Sequence, residues 1–255
     1  MRRLHIFLAV FAASLCFILP AQAQTDGQIV LKHGSGGYYG TTDTWIDYSN
    51  PSTNYGSSTE MNVKMFSSSP RNSGLIKFDL TGQLPNDPWL RITSATLSLY
   101  LVRLENFTSG DWMYIGPYMI RDYKDWVESQ ANWNVFKGST YWASPGCENT
   151  TWDRYADPDS LVYFYYGMPT GIYYNWNVTN SVKKWVEEGK PNNGWLMRAY
   201  SQDGGSDVVV FATKEGSLGV RPKLTINYTI IPEPASILAL SMGVLTLIGA
   251  ARRRK

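Results

Sequence analysis

The chain has 255 residues, with 23 Lys and Arg against 21 Asp and Glu, ten Trp, seventeen Tyr and two Cys. Six of the bases (Arg2, Arg3, Arg252, Arg253, Arg254, Lys255) and one acid (Glu233) lie at the ends, so residues 24–231 hold 17 bases and 20 acids. The basic character belongs to the termini and gives no support for nucleic-acid binding. The single cysteine of the central part, Cys147, excludes an intrachain disulfide there and any multi-cysteine metal site.

The N-terminus runs Met1-Arg2-Arg3, then an apolar stretch over 6–19, then Pro20 and Ala21-Gln22-Ala23 before Gln24. A charged start, an apolar run too short for a comfortable span and a small-x-small site describe a secretory signal peptide over 1–23. Signal peptidase is expected to cut after Ala23, with Ala21 as the second small residue of its site; a retained anchor is the alternative. Cys16 lies inside the apolar run and not at its edge, which argues against a lipoprotein.

Residues 24–40, with Gly34-Ser35-Gly36-Gly37-Tyr38-Tyr39-Gly40, read as a flexible lead-in. No helix follows to offer its N-terminus to a phosphate. From residue 41 to 230 alternation with period two dominates. Ala95, Leu97, Leu99 and Leu101 interleave with polar residues and Tyr100, as Leu224, Ile226 and Tyr228 do with Lys223, Thr225 and Asn227. Further strands are expected over 44–48, 62–66, 75–80, 113–121, 161–166, 173–176, 195–200 and 208–212, separated by turn clusters such as Ser49-Asn50-Pro51. Val178, Val182, Trp185 and Val186 recur at helical spacing and Gly189 with Pro191 stops them, which predicts one short amphipathic helix with Trp185 as a core plug. About ten strands around one core predict an all-β fold, a jelly-roll-like two-sheet β-sandwich.

The C-terminus runs Pro232-Glu233-Pro234, then 235–251 without a charge, then Arg252-Arg253-Arg254-Lys255. Seventeen helical residues span about 26 Å, close to the hydrocarbon thickness of a thin bilayer. A single transmembrane helix is expected, with the basic cluster on the cytoplasmic side. The order of these three parts over 231–255 resembles the PEP-CTERM sorting signal. That resemblance implies cutting near Pro232-Glu233-Pro234 by an exosortase and delivery to the cell envelope, surface or extracellular matrix; an uncleaved membrane anchor is the alternative.

Seven stretches of the central part occur in an order similar to that of the DNRLRE family, also grouped as carbohydrate-binding module family ninety-six. They are Asp43-Thr44-Trp45-Ile46 with Asn54-Tyr55-Gly56; Ile76-Lys77-Phe78-Asp79-Leu80; Ser94 to Tyr100; Trp126-Val127-Glu128 with Asn132-Trp133-Asn134; Trp176-Asn177-Val178-Thr179 with Lys184-Trp185; Asn193-Gly194-Trp195; and Lys214-Glu215 leading to Arg221-Pro222-Lys223-Leu224. Lys77 and Asn132 depart from the family pattern, which often has Arg and Thr there. The resemblance implies a β-sandwich that accompanies surface and polysaccharide-acting proteins and in some members binds acidic polysaccharide.

The chemical inventory argues against an enzyme. His33 is the only histidine of the central part, so a Ser-His-Asp or Cys-His arrangement and a His-based zinc site have one candidate between them. A lyase or a paired-carboxylate glycosidase remains a lesser alternative, because acids cluster at Asp122, Asp125 and Glu128 and at Asp153, Asp157 and Asp159. Structural calcium has oxygen donors at Asp203 and Asp207 around two glycines, or in the second of those clusters. For a glycan, Trp142, Trp152 and Tyr155 fall outside the strands, with Arg154 beside them to meet a carboxylate or sulfate. The same rings would equally serve to cover one end of the sandwich. A non-catalytic surface protein that binds polysaccharide is the expectation, and a structural envelope or biofilm-matrix protein without a glycan site is the alternative.

Overall fold

The computed structural model describes residues 24–66, 69–202 and 205–231. Thr25–Ile230 form one compact unit. The expected signal peptide with Ala21 and Ala23, the segment from Pro232 to Lys255, and Asp203 all lie outside the described residues. Among the described residues no helix is long and apolar enough to cross a membrane.

The elements in chain order are β1 (Thr25–Lys32), β2 (Thr41–Asp47), β3 (Glu60–Phe66), β4 (Ser69–Phe78), β5 (Leu90–Glu105), β6 (Trp112–Met119), β7 (Val135–Lys137), β8 (Thr140–Tyr141), β9 (Val162–Tyr165), β10 (Ile172–Asn177), α1 (Thr179–Val186), β11 (Trp195–Gln202), β12 (Val208–Ala212) and β13 (Lys223–Ile230). Each of the ten segments that alternation marks as strands contains one. All-β is the observed class, but eleven of the strands share one curled, hydrogen-bonded sheet instead of two separate ones. The reason is the length of β5. Its first part pairs with β13 and its last part with β12, while Leu101 faces Phe211 of β12 on one edge and Ile172 of β10 on the other. A sixteen-residue strand thus passes from one layer to the other without a break.

Residues 24–40 are structured, in contrast to the flexible lead-in expected there. β1 pairs with β13 from Thr25↔Ile230 to Lys32↔Lys223, and a Cβ at Gly27 would lie 2.2 Å from the Tyr228 ring that crosses it. Local sequence hid this strand because β13, its partner among the described residues, is almost two hundred residues away. The glycine-rich segment then closes a turn, with Gly34 N–H donating to the Tyr38 carbonyl at 2.7 Å and the Tyr38 ring buried in the core.

Two apolar clusters follow from the curl. The larger lies inside it and holds Leu97, Leu99, Leu101, Phe164, Trp176, Phe211 and Trp195. Here α1 lays Val182 and Trp185 down, and the Trp185 and Trp195 rings stand 4.6 Å apart, so Trp185 is the expected core plug. The smaller cluster lies on the outer face of β2, β4, β6 and β11, with Ile46, Leu75, Tyr118 and Leu196. It is closed by the chain between β6 and β9, through Trp126, Trp133, Phe136, Trp142 and Cys147. Strands covered on both faces carry apolar runs instead of alternation, as in Leu75-Ile76 and Trp195-Leu196-Met197.

The covering segment has little regular structure, so its backbone groups need side-chain partners. Asp153, fully buried, supplies several. It accepts from the N–H groups of Ala143 (2.8 Å), Ser144 (2.9 Å) and Asn149 (3.2 Å), and it pairs with Lys124 at 3.1 Å. The Trp126 indole donates to the Asn193 carbonyl at 2.8 Å, and the Trp142 indole to that of Asn132 at 2.9 Å.

Candidate functional site

The four residues expected to meet a glycan do not form one groove. Trp142 is 3 % exposed, its ring 5.3 Å from Phe136 in the outer cluster. Arg154 is 5 % exposed; it pairs with Glu148 at 3.2 Å, and Glu148 also holds Arg198 of β11 at 2.9 Å. Both guanidiniums stack over Tyr118, so this charge belongs to the packing of the covering segment. Tyr155 is partly buried between two cations, the Arg121 guanidinium at 4.0 Å and the Lys184 ammonium at 4.7 Å. Trp152 alone is open, 55 % exposed beside Tyr123 at 6.1 Å. Alternation cannot mark burial outside strands, which is why Trp142 and Trp152 look alike in sequence.

A larger array of outward-facing rings lies on the sheet itself. β9 turns Val162 and Phe164 inward, so Tyr163 and Tyr165 point out. β6 turns Met113 and Ile115 inward and presents Trp112 and Tyr114. The register places Trp112 opposite Tyr165 and Tyr114 opposite Tyr163. The four rings touch in a continuous patch: Tyr114 to Tyr163 at 4.9 Å, Tyr163 to Tyr165 at 5.6 Å, Trp112 to Tyr114 at 5.7 Å. Tyr163 and Tyr165 are exposed, and with Tyr166, Ser109, Gly110 and Asp111 they border a shallow hollow of about 340 Å³. Gly116 marks the limit of the patch. The chain returning from the covering segment crosses β6 there, and a Cβ would lie 2.6 Å from the Ser160 carbonyl oxygen. Sugar rings stack their C–H faces on such an apolar, polar-edged surface. The sequence signal was present, because outward Tyr163 and Tyr165 flank inward Phe164.

The outer face of the layer β1-β13-β5-β10 has a different chemistry. Lys32, Lys223, Ser98 and Asn175 stand in one cross-strand row, with Tyr100 and Tyr173 in a neighbouring pair. Tyr173 lies under both ammonium groups, Lys223 at 4.5 Å and Lys32 at 5.7 Å. Like charges directly opposite each other disfavour the sheet. Burial, then Lys223 and Arg221, hold the Lys32 pKa below its ordinary value. Among the described residues neither lysine meets a carboxylate within ion-pair distance. An anion on this face would relieve the repulsion.

Three of the acids expected to be catalytic or calcium-binding, Asp153, Asp159 and Asp125, are engaged elsewhere. Asp153 is the backbone acceptor already described. Asp159 receives the Trp195 indole N–H at 3.1 Å, and burial raises its pKa. Asp207 is buried, and its expected partner Asp203 lies outside the described residues. Asp125 pairs with Lys137 at 2.6 Å. His33 packs edge-on to Tyr39 at 5.4 Å, and burial, then Lys214 and Arg221, lower its pKa, which favours the neutral ring. A groove of about 680 Å³ between α1 and the end of β4 is lined by Lys77, Asp79, Leu84, Trp185 and Lys190 among others, but its one indole is 7 % exposed and offers no ring face to a sugar.

Among the described residues one trio has carboxylate oxygens within 4.8 Å of one another: Asp43, Glu128 and Glu215. Asp43 is 1 % exposed, and burial, then Glu215, push its pKa well up. These residues stand in three of the stretches that carry the family resemblance.

A model of carbohydrate-binding module family 96 matches residues 37–136, which covers β2 to β6 and the covering segment as far as β7. Over that stretch the chain is similar to a family of sugar-binding modules. No curated protein matches the chain.

Proposed function

We propose that the protein is a non-catalytic polysaccharide-binding protein whose glycan contact is the ring patch Trp112, Tyr114, Tyr163 and Tyr165. The observation that carries this reading is the row of outward rings on β6 and β9, with Tyr163 and Tyr165 exposed, beyond the point where the returning chain crosses β6 at Gly116. The similarity to a carbohydrate-binding module family supports it. In this reading the DNRLRE-like unit is exported by its signal peptide, sorted through Pro232-Glu233-Pro234 by an exosortase, and held at the envelope or in the matrix. Acidic exopolysaccharide is the favoured ligand class, because Lys32 and Lys223 lie over Tyr173 with no carboxylate at ion-pair distance among the described residues.

Affinity electrophoresis of the full chain in detergent, through gels of neutral and acidic polysaccharides, tests both parts. Tyr163→Ala and Tyr165→Ala each remove one stacking face and should weaken retention roughly tenfold, the effect of about 1.4 kcal/mol. Lys223→Gln should reduce retention by acidic glycans and leave neutral ones unaffected, with the difference shrinking at high salt. Wild-type protein that runs unretarded through every gel would instead favour a purely structural role.

A further inference from the structure

We propose that Asp43, Glu128 and Glu215 form a binding site for a hard divalent cation of the calcium class. The three residues come from β2, from the covering segment and from the turn after β12, and only the fold brings them together. Asp43 N–H donates to Glu128 Oε1 at 2.8 Å, and Asp43 Oδ2 accepts the Lys214 N–H at 2.8 Å. That leaves Asp43 Oδ1, inside the protein, with no hydrogen-bond partner, and Glu215 Oε2 is likewise buried and unsatisfied. Two buried, unsatisfied carboxylate oxygens in one cluster are costly unless a cation completes them.

The Lys214 ammonium meets the need only in part. It lies 3.0 Å from Glu128 Oε1 and contacts Glu215 Oε1, so one positive charge faces three carboxylates and neither orphaned oxygen is reached. The donor set is all oxygen, which suits calcium and gives soft metals nothing to hold. Glu128 and Glu215 keep 25 % and 20 % of their side chains exposed, which provides a path for the ion and room for the waters that fill out its shell. Gly56 permits the close approach, since a Cβ there would lie 2.5 Å from the Glu128 carbonyl oxygen. The ion would tie the covering segment to the sheet and to the loop that follows β12.

Calorimetric titration of the EDTA-stripped full chain with calcium chloride, with magnesium chloride in parallel, tests the site. One saturable calcium site is expected, together with a calcium-dependent rise in melting temperature. Asp43→Asn and Glu215→Gln should each weaken binding by tenfold or more, by loss of about 1.4 kcal/mol or more. Lys214→Met removes the competing ammonium and should tighten it by roughly tenfold. If Asp43→Asn does not fold, the partly exposed Glu215 carries the test. No calcium binding by wild type, or undiminished binding by Glu215→Gln, overturns the proposal.

Discussion

Asp153→Ala is expected to cost about 3–5 kcal/mol, as breaking a buried ion pair does, and to melt the covering segment before the sheet. The carboxylate holds three backbone N–H groups of the irregular stretch between β8 and β9, and its removal strands Lys124, which is only 8 % exposed, without its counter-charge. Asp153→Asn keeps the volume but loses the charge and two lone-pair sites, so it should fall between wild type and alanine. Thermal denaturation combined with amide hydrogen exchange separates the outcomes. Loss of protection confined to residues 120–160 identifies Asp153 as the anchor of that segment, whereas an unchanged melting temperature would mean that the segment is held by its rings alone.

Trp142→Ala should destabilise by about 3–5 kcal/mol, the range for removing a buried tryptophan, while Trp152→Ala should change stability by less than about 0.5 kcal/mol. The two indoles lie ten residues apart, in one irregular stretch. One fills the outer cluster and donates to the Asn132 carbonyl; the other is more than half exposed. Urea titration reads the difference directly. Any loss of glycan retention by Trp142→Ala should track the fraction unfolded, in contrast to Tyr163→Ala, whose retention should fall while its midpoint stays fixed.

How much of this was legible depends on how local the cause is. Alternation is set by neighbours two residues apart, so β5 and β13 stand out, as does the helical spacing of Val178, Val182 and Trp185. Pairing is not local. β1 gains its identity from β13, and the single curled sheet comes from β5 running long enough to serve both layers. The candidate sites divide the same way. Tyr163 and Tyr165 are legible as outward positions of a short strand, whereas Trp142 and Arg154 lie where no alternation separates buried from exposed. Asp43, Glu128 and Glu215 stand in separate stretches of the sequence, Glu128 beside other acids, and their convergence depends on the fold bringing three distant segments to one point.

The pairing of Thr25 with Ile230 also has a consequence for how such a unit is carried. Cross-strand neighbours sit about 5 Å apart, so the chain enters and leaves the fold through a single doorway. A host protein can therefore accept the whole unit within one surface loop, as a pendant on a two-stranded stem, without stretching its own backbone. By the same geometry, joining the two ends with a short linker and reopening the chain in an exposed turn should preserve every strand neighbour.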